Sequence, residues 1–349
     1  MARLSRLTAQ QRRIVLNLIA KHDPLIRAAF AEAVRNAHGE LDFGALVESV
    51  QRSDWNRAAE MLRLNQAMLF PLEEAIRTAT FAGGMTVALP KSIAGSFSFN
   101  GRHPRAERIV AEMGARLVTE IGSPGVEAVR AVILQGQQES IGAQRIAQRL
   151  AGTINRRTGI REGGIMGLDG PRAERSARVR EMLSDPDQIR SYFIKDSKTG
   201  KWKPRYKSTD RRFDAQVRKA IAEGRALNKA AIDRITKAHD ARLLKARGRA
   251  IAEHETFTAQ AQGRREAYQQ LMDSGKVESI GKLWQHNTAK DARPDHRRLD
   301  GETVDFDEAF VMDDGSRLQY AHDPAGGIEH SAGCRCTTTY VPQFKRPGR

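Results

Sequence analysis

Cysteine is nearly missing from this chain: Cys334 and Cys336 are the only two in 349 residues. A disulfide across one intervening residue is strained, and no third thiol exists to pair with either. A disulfide-stapled fold is therefore excluded, and so sparse a cysteine content suits a reducing cytoplasm or a particle assembled there. Aromatic residues reach only 6%, too few to favour recognition of single strands by base stacking. No stretch approaches the roughly 20 apolar residues of a membrane span, and no membrane partner is expected. Met1-Ala2-Arg3-Leu4-Ser5-Arg6 lacks the apolar centre of a secretory leader.

Positive charge is what the chain has in excess. Lys and Arg number 58 against 42 Asp and Glu, a formal net charge of +16 with a pI near 10.2. Such a balance points to phosphate backbones or an acidic partner surface and says nothing about fold.

Apolar periodicity predicts a mainly α protein: a helical body with a loop-rich insertion and a small C-terminal α+β module. Thr8 reads as the cap of a helix reaching about Val34, with Gln11 completing a capping box. Asp54 reads as the cap of a second helix carrying Ala58, Met61, Leu62, Ala67 and Met68. Val87-Ala88-Leu89-Pro90 and Ser96-Phe97-Ser98-Phe99 read as extended, with a turn at Asn100-Gly101. Helices return from Arg105 to Ile121, Val126 to Leu134 and Gln137 to Leu150. The last two resemble a helix-turn-helix, a geometry able to read DNA but more often a packing unit. Glycines at 159, 163, 164, 167 and 170 read as a flexible arm, followed by a helix from Pro171 to Leu183. Tyr192 to Lys195 and Lys201 to Lys203 read as a basic hairpin. Asp210 to Asp273 reads as one long charged helical stretch, bent at Gly224, Gly248 and Gly263. Its residues Lys237, Arg242, Lys245, Arg247 and Arg249 are the candidates for sequence-independent contact with double-stranded DNA. The expected division is 1–104 (a helical region with a hairpin-like excursion), 105–273 (a helical core with an insertion at about 155–210) and 274–349 (the C-terminal module).

The chemistry-bearing groups concentrate in that last part. Four of the nine histidines, His286, His296, His322 and His330, lie there beside both cysteines. Thr303 to Phe306 and Thr337 to Val341 read as strands, and Asp300-Gly301 and Asp314-Gly315 as tight turns. Trp284 and Phe310 supply most of the apolar area of so small a core. His296, His330, Cys334 and Cys336 make a nitrogen and sulfur set suited to tetrahedral zinc, although Cys-x-Cys is tighter than a finger spacing. Two buried thiols beside a hydrogen-bonded histidine explain the same residues without a metal. Asp291, Asp295 and His296 are also acid-base material, but no oxyanion hole or substrate pocket accompanies them, so no small-molecule substrate is expected.

The ordered string Trp284-x-x-x-x-Thr288-x-x-Asp291-x-Arg293-x-x-His296-x-x-Leu299-Asp300-Gly301, then Phe310 and Cys334-Arg335-Cys336, resembles the phage Mu F-like family of minor head, or head morphogenesis, proteins. Ala250 to Thr256 is similar to the helix that precedes the motif in that family. The resemblance implies a structural, non-enzymatic role in procapsid assembly, beginning in the host cytoplasm and ending in the virion head. It also implies the portal protein and other head proteins as partners, with packaged DNA nearby. The motif residues it marks are Trp284, Asp291, Arg293, His296, Gly301, Cys334 and Cys336. In the family, Cys-x-x-Cys stands where this chain has Arg293 and His296. The competing readings are a metal- or thiol-dependent nuclease or toxin-like enzyme using the same Asp, His and Cys groups, and a sequence-specific DNA binder.

Overall fold

A computed structural model describes residues 2–87, 89, 95–122, 125–286 and 292–345, with only the backbone of residues 2–6. The protein is mainly α with small sheets of two or three strands. Helix α1 (Ala2–Glu40) begins well before Thr8, which lies inside it rather than at its cap. Aspartates open α2 (Phe43–Gln51) and α3 (Trp55–Met61): Asp42 accepts from the Ala45 N–H at 3.0 Å and Asp54 from the Arg57 N–H at 2.9 Å. The stretch expected as one helix after Asp54 is two. Asn65 caps afresh, its side chain accepting from the Met68 N–H at 2.9 Å, and starts α4 (Gln66–Gly84). Next come α5 (Pro104–Ile121), α6 (Val126–Gln138) and α7 (Ala143–Ala151). A short hairpin of β1 (Thr153–Ile154) and β2 (Arg161–Glu162) leads to α8 (Gly170–Ser184), which Asp169 caps. The basic hairpin is present as β3 (Phe193–Lys195) paired with β4 (Trp202–Pro204). It is followed by α9 (Asp214–Ala222) and α10 (Lys229–Asp273). The C-terminal elements are β5 (Val277–Gln285), α11 (Pro294–Arg298), β6 (Thr303–Asp305), β7 (Phe310–Val311), β8 (Arg317–Leu318), α12 (Gly327–Ser331) and β9 (Thr337–Phe344).

Three expectations are corrected by packing. The glycine-rich stretch is no flexible arm, because Ile165, Met166 and Leu168 are buried. A Cβ on Gly164 would sit 2.5 Å from the Leu150 carbonyl oxygen, and one on Gly167 would sit 2.7 Å from Val34. These glycines admit close approach at positive φ rather than motion. The long charged stretch breaks at Gly224, whose φ is +63°, but runs unbroken through Gly248 and Gly263. Among its described residues, the excursion after α4 forms no strand pair. Val87, Leu89 and Phe97 pack against an apolar cluster instead, while Asn100-Gly101 does turn, the Asn100 carbonyl accepting from the His103 N–H at 3.1 Å.

Contacts group the chain into two compact units, each built from separated segments. One comprises 31–69 and 117–248. Its core joins Val179 and Leu183 of α8, Tyr192 and Phe193, Val217 of α9, and Ile232 and Ile235 of α10.

The other unit comprises 1–30, 70–116 and 249–349. Its sheet has the order β6-β5-β9, antiparallel throughout, with Trp284 opposite Thr338 and Lys282 opposite Tyr340. Tyr268, Leu271, Ile280, Phe306 and Tyr340 form one apolar cluster. Trp284, Leu299, Phe310, Leu318 and both cysteines form a second cluster. Within this unit α10 passes α4 so closely that a Cβ on Gly263 would lie 1.9 Å from the Thr80 carbonyl oxygen. Only glycine allows that crossing.

Candidate functional site

The site is built where the end of β5, the short helix α11 and the approach to β9 meet. Trp284 and Thr338 stand opposite one another in the sheet. The Asp300-Gly301 turn brings the chain back from α11, with Gly301 at φ +84° donating its N–H to the Trp284 carbonyl at 3.0 Å. Pro294 starts α11, where its fixed φ suits a first helical position. The helix aims His296 inward, where only 1% of it remains exposed. Gly333, at φ +65°, turns the chain into Cys334-Arg335-Cys336. Cys334 and Cys336 are buried, whereas Arg335 between them reaches outward to Glu253 at 2.7 Å.

The result is a compact donor set. His296 Nδ1 lies 3.4 Å from Cys334 Sγ and 3.6 Å from Cys336 Sγ, and the three ligand atoms all fall within 4.8 Å of one another. Tetrahedral zinc, with bonds of about 2.3 Å to sulfur and about 2.05 Å to nitrogen, would separate such atoms by about 3.6 Å. The donor types and spacing therefore fit zinc, which would act as a staple between α11 and β9. The Cys336 thiol beside it, together with burial, pushes the Cys334 thiol far above its usual range, and a bound cation would reverse that preference.

His330 is not part of this trio. It belongs to a second group with Asp295 and His296. Its Nε2 is 3.0 Å from Asp314 and its Nδ1 is 3.7 Å from Asp295. The rings of His330 and His296 stack with centroids 5.8 Å apart. Trp284 meets the His296 ring edge-on at 5.4 Å and Phe310 at 5.2 Å. Backbone N–H donation from Ser316 and the His330 ring hold Asp314 low, to about 2. Arg293 donates to the Ala332 carbonyl at 2.8 Å. Thr288 and Asp291 lie outside the described residues.

Sequence reasoning missed two supports of this module. Lys282 is fully buried, and its ammonium donates to the carbonyls of Glu308 and Gln319 and to the Gln319 side chain at 2.5–2.9 Å. Burial lowers it to about 8. Gln11 reaches the other end of the sequence, accepting from the Tyr340 N–H at 3.1 Å and donating to its carbonyl at 2.7 Å. A lysine in a strand and a glutamine in a helix carry no local signal for either role.

Residues 211–339 match the family model described as Phage Mu protein F like protein. This stretch is Mu F-like. No curated protein and no solved structure matches the chain. The Mu F-like stretch takes in α9 and α10 and, from the C-terminal module, β5, α11 and the His296-Cys334-Cys336 trio.

Of the DNA-contact candidates in this stretch, Lys237, Lys245 and Arg249 are exposed. Arg242 is half-exposed and bound to Asp210 at 3.2 Å and to the Thr209 carbonyl at 3.1 Å. Arg247 is a correction. It is 3% exposed and donates to the carbonyls of Gly167 and Ile121 at 2.5 and 2.9 Å, so its charge organises the fold and does not face a ligand. Among the described residues no helix is long and apolar enough to cross a membrane.

Proposed function

We propose that this protein is a structural head morphogenesis component of a tailed phage, acting in head assembly beside the portal and entering the virion. The observation that carries the reading is the family match over 211–339. The site supports it physically. His296, Cys334 and Cys336 are at most 5% exposed, and the cavity touching Cys336 and His322 measures only about 20 Å³, room for one water. A nuclease would need space for a substrate at these groups. The trio instead reads as a structural centre of the C-terminal module, 274–349, with 1–104 and 105–273 as the helical parts of the chain. The exposed Lys237, Arg242, Lys245 and Arg249 are proposed to meet packaged DNA without sequence preference. The test is pull-down of the purified protein against portal and major capsid proteins. Binding to one or both is expected, and binding to neither at high concentration overturns the reading.

A further inference from the structure

Within the unit formed by 31–69 and 117–248, a cleft of about 570 Å³ opens between α7, the β1–β2 hairpin and the first turns of α10. Six basic side chains line it, Arg145, Arg149, Arg180, Lys229, Arg234 and Lys237, against three carboxylates, Glu162, Asp233 and Asp240. The carboxylates do not cancel the excess. Asp233 is taken by Arg180 at 2.6 Å, and burial raises Asp240 to about 7, leaving it only partly charged at neutral pH. Arg145, Lys229, Arg234 and Lys237 have no carboxylate within ion-pair distance among the described residues.

Two features mark a built site rather than a solvated basic face. Arg149 keeps only 10% of its side chain exposed and pairs with Glu139 through Nη2, yet its Nη1 is buried without a hydrogen-bond partner. Arg180 beside it is 9% exposed. An anion in the cleft would supply the acceptor that the Arg149 Nη1 lacks. The lining contains no aromatic residue on which a base could stack.

We infer that this cleft binds a phosphate-bearing ligand through its phosphate oxygens, with Arg145, Arg149, Lys229 and Arg234 as the contacting cations. The inference rests on the cleft's own chemistry and does not depend on the family reading. The ligand's source is either a small phosphate anion or the phosphodiester backbone of a nucleic acid.

The experiment titrates the full chain with sodium pyrophosphate by calorimetry and with a short fluorescein-labelled duplex by anisotropy over a range of salt. Arg145→Glu/Lys229→Glu is expected to weaken the bound ligand by about tenfold or more and to lower the logarithmic salt slope for duplex by about 2. Lys21→Glu, at an exposed lysine outside the cleft, should leave binding within about twofold, as for a contact the cleft does not make. Pyrophosphate binding that duplex does not displace identifies a small-anion site. Duplex binding that pyrophosphate displaces only weakly identifies the backbone. The inference is overturned if neither ligand binds, if the double variant binds like the parent, if Lys21→Glu loses as much, or if polyglutamate displaces the ligand equally well. Thermal melting checks that the double variant is folded. If it is not, Lys229→Gln alone serves, with a drop in salt slope of about 1 expected and an unchanged slope fatal to the idea.

Discussion

The side-chain amide of Gln11 pairs with both backbone polar groups of Tyr340, 329 residues away. In effect it is a one-residue extension of the sheet edge, supplied by α1 to β9. It also accepts from buried Arg264 at 2.5 Å, so one amide satisfies the strand and a cation that has no carboxylate partner among the described residues. Gln11→Ala would leave the Tyr340 N–H and carbonyl buried and unpaired, and should destabilise the protein by about 1–3 kcal/mol. Urea denaturation measures this; a loss below about 0.5 kcal/mol, the level of an ordinary surface substitution, would refute the pairing's importance.

Gly263→Ala tests the helix crossing. Its Cβ would meet the Thr80 carbonyl oxygen at 1.9 Å, so α4 and α10 must separate locally, at about 1–3 kcal/mol or more. Gly142→Ala is the comparison, since nothing lies within 4 Å of its Cβ position and its φ is ordinary. Melting temperatures of the two variants should diverge. Equal, small shifts would mean that the crossing tolerates a methyl group.

Much of the helical body was legible because its signals are local. Asp54 caps by reaching three residues along the chain, and the basic hairpin is announced by its own turn. Gly224 breaks a helix by its φ alone. Gly263 and Gly167 carry the opposite meaning, and no local pattern separates them from Gly224. Their role depends on Thr80 and Val34, which are distant in sequence. The same limit explains the site. Residue chemistry and the family string brought His296 together with Cys334 and Cys336. The placement of His330 with Asp295 and Asp314 depends on α12 and the β7–β8 turn, which no sequence spacing encodes. Arg247 looked like its exposed basic neighbours, and only the carbonyls of Gly167 and Ile121 reveal otherwise.

Acid should destabilise the fold above the pH range in which an ordinary carboxylate is protonated. Burial lowers His38, His239 and His254 from 6.5 to about 4. Each folded-state value is below the unfolded one, so the unfolded chain binds the proton more readily. The stability each contributes is complete above pH 6.5 and is lost as pH falls from 6.5 through 4. For fully enclosed His239 the loss is on the order of 3 kcal/mol. Denaturation midpoints between pH 7 and about pH 4 should fall steeply, and His239→Gln should flatten the profile by about one proton. A profile that is flat over this range in the parent protein contradicts the burial of neutral imidazoles.

For the His296-Cys334-Cys336 trio the proposal is structural zinc. Protein purified without chelator is expected to carry zinc, and cobalt substitution should give the absorption of a thiolate-ligated tetrahedral centre. Strong chelators should lower the melting temperature. Cys336→Ser should abolish the cobalt spectrum, while His330→Ala should leave it, because His330 is held by Asp295 and Asp314. His296→Ala should cost about 1–3 kcal/mol with or without metal, through unsatisfied buried partners. Absent zinc, together with a melting temperature indifferent to chelator, would leave two packed thiols and reject the metal.

The segmented make-up of the two units has a consequence for synthesis. The unit built from 31–69 and 117–248 has all its residues once translation has passed Gly248. The other draws on the chain's first 30 residues and on β9, so the amino-terminal part of α1 must wait on the ribosome until Tyr340 has emerged. Throughout that interval the apolar face that later meets β9, Val15 among it, has no finished partner. It is the part of the nascent chain most exposed to chaperones.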